Sequence, residues 1–160
     1  GKALHTNIQV KITVDQERRL LNSKYHTAGH LIAAVAEQEN GGLKAVKGHQ
    51  FPGEAYVEFM GAIGDTDDFL HQVKFKVSAC IKDNRVVTTG VLRQNHAQPV
   101  TQNLGYELPQ GKSLRVCCIT GLSPVPCGGT HIKTLDEITL LTLKKCKSKK
   151  GKTKIYYEVG

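Results

Sequence analysis

The stretch Tyr25–Val35, YHTAGHLIAAV, decides how this chain is read. His26 and His30 stand four residues apart at the head of an apolar run. On a helix that spacing puts both imidazoles on one face, one turn above the other. Leu31, Ile32 and Val35 then bury the inner side. Asn22 or Ser23 can cap the helix, which runs through Glu37 or beyond until ENGGLK, Glu39–Lys44, stops it with glycines. The preceding DQERRLL, Asp15–Leu21, reads as a short helical turn of its own.

Working outward, NIQVKITV, Asn7–Val14, alternates apolar residues at Ile8, Val10, Ile12 and Val14, which predicts a strand. EAYVEFMG, Glu54–Gly61, reads as another. TDDFLHQVKFKVSACIK, Thr66–Lys82, predicts a helix with Thr66 as its cap and acids in its first turn. Its Phe69, Val73, Val77 and Cys80 recur at helical spacing. SLRVCCITG, Ser113–Gly121, is apolar on both faces at its centre, as a buried strand is. EITLLTLKKC (137–146) and TKIYYEV (153–159) predict a hairpin around KSKKGK (147–152). Between Val86 and Leu108, strand-like RVVTTGVL gives way to polar QNHAQ and Pro99, and no element is assigned beyond Leu92. Nothing repeats and no linker divides the chain. The expected architecture is one α+β domain over residues 1–160, a mixed, largely antiparallel sheet packed with helices.

The chain has 160 residues, enough for a sizeable core, and a formal net charge of +8 from 22 Lys+Arg against 14 Asp+Glu. Such a surface either serves solubility or favours a polyanionic partner through steering and counterion release. No apolar run reaches the roughly 20 residues a membrane helix needs, and GKALHTN has no secretory signal pattern. The sequence does not open with Met, from which a longer parent protein is expected. Five cysteines, Cys80, Cys117, Cys118, Cys127 and Cys146, are odd in number and scattered. That is a poor disulfide framework and points to a reducing, cytoplasmic compartment.

A second motif lies in SPVPCGGTHIKT, Ser123–Thr134. Cys127 and His131 are again four apart, but Gly128 and Gly129 between them, and Pro126 before, argue for a loop. The chain thus offers H-x3-H on a helix and C-x3-H on a turn. Three imidazoles and a thiolate suit zinc, whose tetrahedral shell accepts Cys sulfur and His nitrogen. The glycines would let the backbone come close without a Cβ in the way.

Other chemistries fit less well. A zinc peptidase of the H-E-x-x-H type needs a glutamate after the first histidine, where this chain has Thr27. A Cys127–His131 nucleophilic dyad would leave His26 and His30 unexplained. A non-catalytic RNA-binding module with a structural zinc stays open, since four protein ligands close a zinc shell.

HTAGHL followed by PCGGTH closely resembles the editing domain of alanyl-tRNA synthetases, and above all the free-standing AlaX-type trans-editing proteins. DQERRLLNSKYHTAGHLI, LKAVKGHQFPGEAYVEF, LPQGKSLRVCCI and KKGKTKIYYE extend the likeness from about Asp15 to Glu158. The editing domain of threonyl-tRNA synthetases shares the two-motif skeleton and is the nearest rival, which leaves seryl-tRNA(Thr) as an alternative substrate. The resemblance implies an aminoacyl-tRNA deacylase that hydrolyses seryl-tRNA(Ala), and glycyl-tRNA(Ala) as a second candidate. It implies His26, His30, Cys127 and His131 as zinc ligands and the aminoacylated acceptor end of tRNA as partner. Two positions depart from that pattern: Gly29 inside the helix, at a cost near 1 kcal/mol, and Val46, where relatives place a polar pocket residue.

An apolar pocket cannot strongly reject an added hydroxyl, whereas a site that requires the hydroxyl discriminates well. Editing therefore predicts a polar pocket sized for serine, with Thr27, His49 and Gln50 as candidates. No carboxylate is obviously placed as general base, so the catalytic residues are unassigned and a positioning role is expected of the metal. For RNA, Arg18, Arg19 and Lys24 lie near the metal helix, and Lys149, Lys150 and Lys152 crown the lysine-rich hairpin. Phosphate contact is one reading of that tip; protection of a sheet edge is the other. Tyr25 either packs inside or stacks on the terminal base. Oligomeric state is not legible.

Overall fold

One long helix, α1 (Gln16–Glu39), replaces the short turn and shorter helix expected there. Asp15 caps it by accepting from the Arg18 N–H at 3.0 Å, so the Asx cap lies a full two turns before Asn22 and Ser23. Ser23 is interior and bonds back to the Arg19 carbonyl at 2.9 Å, the usual way a mid-helix serine satisfies itself. Asn40 closes the C-terminus through its N–H to the Ala36 carbonyl. The computed structural model describes residues 9–92 and 113–160. Ile8, most of the polar segment before Leu108 and the LPQGK run lie outside the described residues.

After α1 come β1 (Lys44–His49), β2 (Tyr56–Met60), α2 (Thr66–Lys82), β3 (Val87–Leu92), β4 (Leu114–Ile119), β5 (Val125–Pro126), β6 (Leu141–Lys149) and β7 (Lys152–Val159). A short 3-10 turn at Leu135–Glu137 precedes β6. The strands form a four-stranded sheet ordered β1-β2-β7-β6 and a three-stranded sheet ordered β3-β4-β5. Among the described residues every strand pairing in both sheets is antiparallel, consistent with the α+β reading. The helix α2 spans the predicted residues, but Asp65 rather than Thr66 caps it, accepting from the Asp67 and Asp68 N–H groups. A carboxylate there also meets the positive end of the helix.

The expected strand at Asn7–Val14 does not form over its described part. Val10, Ile12 and Val14 are 56%, 83% and 45% exposed, and residues 9–14 carry no strand. Alternation says only that pairing would bury one face; no described strand pairs with residues 9–14. β1 went unrecognised because KAVKGH lacks a run of β-branched residues and carries a bulge between Ala45 and Lys47.

Both helices pack on one face of the four-stranded sheet. Leu31, Ile32 and Val35 of α1, Val73 and Val77 of α2, and Phe59, Ile155 and Tyr157 of the sheet belong to one buried core. Burying each such side chain is worth roughly 1.5–3 kcal/mol. Tyr25 packs inside, 2% exposed, with its hydroxyl donating to the Val159 carbonyl at 3.2 Å. The hairpin β6–β7 turns through Lys150 and Gly151, with φ of 53° and 73°, the hand that suits twisted strands.

Candidate metal centre and adjoining cavity

Helix α1 carries His26 and His30, and the loop after β5 carries Cys127 and His131. The structure brings these four together: one donor atom from each lies within 4.8 Å of the others. His26 Nε2 stands 3.1 Å from His30 Nε2 and 3.3 Å from Cys127 Sγ, and His131 Nε2 is 3.3 Å from the same sulfur. Three Nε2 atoms and one Sγ therefore converge on one point, a set that suits zinc by donor chemistry.

The surrounding bonds fix which nitrogen His26 and His131 offer. His26 Nδ1 lies 3.1 Å from the Thr130 carbonyl, so it carries the proton and leaves Nε2 as the lone-pair donor. Thr27 Oγ1 donates to the Ser23 carbonyl at 2.9 Å and sits 3.1 Å from His131 Nδ1. Its proton is thus engaged elsewhere, and it accepts from His131, again leaving Nε2 for the centre. Ser23 Oγ, 2.8 Å from Thr130 Oγ1, ties the loop to the helix. The Gly129 N–H points at Cys127 Sγ at 3.4 Å.

Burial pushes all the imidazoles toward the neutral, ligating form. His30 is pushed down to about 3, by burial first and then by His26 and His131. His131 is pushed down to about 4 by burial, His26 and Arg115. His26 is also lowered, again chiefly by burial, with the Thr130 carbonyl opposing. Cys117, in the neighbouring strand β4, has its thiol pushed up to about 12 by burial and by Cys127. It stays a protonated core residue, which leaves Cys127 as the sulfur donor.

Sequence reasoning missed the groups that shape the loop. Arg115 of β4 donates to the Cys127 and Gly129 carbonyls at 2.8 and 2.7 Å. A lone charge inside the apolar SLRVCCI was the available signal. Gly129 has a steric reason: a Cβ there would stand 2.2 Å from His26 Cε1. Gly29 has one too, since a Cβ would lie 2.9 Å from both Gln50 Nε2 and the Tyr157 hydroxyl.

His30 also forms one wall of a cavity of about 170 Å³ between α1 and β1. That is well below the ~300–1,000 Å³ of drug-sized sites and suits one small group. Ala33, Ala34 and Val57 supply apolar walls, and Glu37, Gln50 and Ser123 supply polar ones. Val46 lies here, as its sequence position suggested. Of the pocket candidates, Gln50 lines the cavity. Thr27 does not: it is fully buried behind His131. His49 points to the other side of the strand, paired with Glu54 at 3.2 Å.

The basic candidates are dispersed. Arg18 and Arg19 line a shallow groove with Val14, Asp15, Asn22 and Thr130, beside the metal loop. Lys24 is half-buried on α1. Lys149 and Lys152 pair across the hairpin tip, with exposed Lys150 in its turn. Lys152 also meets Glu58 at 3.2 Å. All five cysteines are free, and among the described residues no helix is long and apolar enough to cross a membrane.

No protein-family model matches the chain. It is 30% identical over 161 residues to the alanyl-tRNA editing protein AlaX-M of Saccharolobus solfataricus, covering 98% of this chain and 66% of that protein. AlaX-M of Methanosarcina barkeri is 29% identical, with the same two coverages. The alanyl-tRNA editing protein Aarsd1 of Mus musculus is 28% identical over 95% of this chain and 37% of its own length. The chain thus spans about two thirds of the length of the AlaX-M proteins it matches.

Proposed function

Because this chain belongs to the alanyl-tRNA editing family, we propose that it is a trans-editing deacylase cleaving the ester of mischarged aminoacyl-tRNA. Seryl-tRNA(Ala) is the substrate we assign, with glycyl-tRNA(Ala) second, and the whole chain is read as one editing domain acting in the cytoplasm. One observation carries this reading: His30 belongs at once to the converging donor set and to the wall of a small, partly polar cavity.

His26, His30, Cys127 and His131 are the residues that would hold zinc. When bound, zinc supplies a fixed positive charge that orients the aminoacyl end and favours the developing oxyanion. The rest falls to the chain's own groups. Gln50, held over Gly29 and Gly48, presents an amide able to bond the serine hydroxyl. Ser123 adds a hydroxyl on the same wall. Alanine lacks the hydroxyl those two groups would bond once the bound aminoacyl end covers them, which is how such a site spares the correct ester. The alanine and valine walls exclude water from the remainder of the group.

The test is hydrolysis of seryl-tRNA(Ala) beside alanyl-tRNA(Ala), with and without a strong zinc chelator. Rapid, chelator-sensitive loss of the seryl ester alone is expected. Equal cleavage of both esters would remove the proofreading assignment. Loss of activity to thiol alkylation with no effect of chelator would instead mark Cys127 as a nucleophile. RNA binding without cleavage of either ester would leave a non-catalytic module with a structural metal.

A further inference from the structure

The face of the four-stranded sheet turned away from both helices carries a row of rings in register across its strands. His49 of β1 pairs with Tyr56 of β2, Tyr56 with Tyr156 of β7, and Tyr156 with Lys145 of β6. His49 stacks on Tyr56 with centroids 5.4 Å apart, and Tyr56 lies 5.7 Å from Tyr156. Phe51, 58% exposed, extends the row 5.1 Å beyond His49. Lysines sit over the rings: Lys154 at 4.3 Å from the Tyr56 centroid and Lys145 at 4.6 Å from that of Tyr156.

The next rows of the same face are built from Lys47, Glu58, Lys154 and Lys147, and then Lys44, Met60, Lys152 and Lys149. The carboxylates on this face are already engaged, Glu58 by Lys152 and Lys154 and Glu158 by Lys144. A water-facing sheet surface ordinarily carries threonines and mixed charges. Here it presents neighbouring rings amid an excess of cations, with Tyr56 and Tyr156 half-buried and Lys47, Lys145, Lys147, Lys149 and Lys152 exposed.

We propose that this open face is a platform for single-stranded RNA, with bases stacking on Tyr56 and Tyr156 and the surrounding lysines meeting phosphates. Aromatic faces take any base, and a cationic surround follows the backbone; a four-stranded sheet with exposed rings is a known solution to that problem. The ammonium groups now over the rings move to the phosphates when bases take their place. His49 is the last strand residue of the row on this face, while its neighbour Gln50 lines the cavity on the other. A strand stacked on the sheet therefore reaches the sheet end where the cavity lies. The assignment deepens the proposed function by naming the surface that grips the RNA, and rests on that reading only for which RNA it is.

The experiment is fluorescence anisotropy with a labelled single strand of about 12 nucleotides, its duplex form and uncharged tRNA. Tyr56→Ala/Tyr156→Ala is expected to weaken single-strand binding tenfold or more. Tyr56→Phe/Tyr156→Phe keeps the ring faces and should stay within about twofold. Lys145→Gln/Lys147→Gln should flatten the salt dependence by about 0.7 in log–log slope per lost contact. Should the alanine pair unfold, Tyr56→Leu/Tyr156→Leu retains apolar area without a π face and is expected to show the same loss. Unchanged binding by folded ring-less variants overturns the platform. So does duplex binding as tight as single-strand binding, which marks a plain cationic patch. Hydrolysis of a seryl ester of adenosine, which needs no platform, keeps the two readings apart. If wild type cleaves nothing yet binds RNA through the tyrosines, the deacylase reading fails and the platform stands. If seryl-tRNA(Ala) is cleaved with KM unmoved by ring removal, the platform falls alone.

Discussion

Thr27 shows how much one side chain can do without touching a reactant. It lies directly after His26 in sequence, yet its hydroxyl serves His131 across the fold, 3.1 Å from Nδ1. Thr27→Val keeps the shape and removes the acceptor. Such an outer bond to a ligating imidazole is worth about 10–100-fold in metal affinity, and that loss is the expected result. Competition against a chromophoric chelator would measure it, and an unchanged affinity would show that packing alone orients the ring. The identity of this partner could not be read from HTAGHL, because hydrogen bonding to a residue 104 positions away is a property of the closed fold.

At the scale of elements, the pairing of β2 with β7 carries its own electrostatic signature. Glu58 stands opposite Lys154, with Lys152 on the diagonal. Hydrogen bonds to Lys154 and then Lys152 hold its carboxyl below the ordinary value of 4.5. A carboxyl depressed in the folded state contributes stability that is complete above the unfolded value and fades as pH falls through the folded one. Glu58→Gln should therefore cost about 0.2–1 kcal/mol at pH 7. The difference between variant and wild type should close as pH is lowered into the acid range. Urea melts at several pH values would show it, and a constant difference would place the effect in packing instead. Helix α2 was legible to within one residue, its cap being Asp65 and not Thr66, because periodicity, acids and turn all agreed there. In α1 the early half was misread, since Asn22 and Ser23 look like caps and only packing shows that the helix runs through them.

Over the whole molecule, the centre is a clasp between α1 and a loop far along the chain, His26 and Cys127 being 101 residues apart. A metal bound by all four donors exists only in the folded state, so its binding free energy adds to stability. At a hundredfold excess over Kd that is about 2.7 kcal/mol, or roughly 5–10 °C in Tm for a domain of this size. Melting with zinc and with chelator should differ by about that amount. Coincident curves would mean that the four donors hold nothing.

By itself the sequence determined the donor set and its spacing, because H-x3-H inside an amphipathic run and C-x3-H between glycines are local patterns that need no partner to be seen. It determined the α+β class and the hairpin for the same reason: period and turn chemistry are written in neighbouring residues. What only the tertiary structure decided is pairing. Among the described residues it left Val10, Ile12 and Val14 unpaired with any strand, sent Thr27 behind a histidine and Gln50 into the cavity, and lined up His49, Tyr56 and Tyr156 across three strands. Strand register and side-chain direction depend on which distant segment lies alongside, and free energy gained between distant segments leaves no mark on local order.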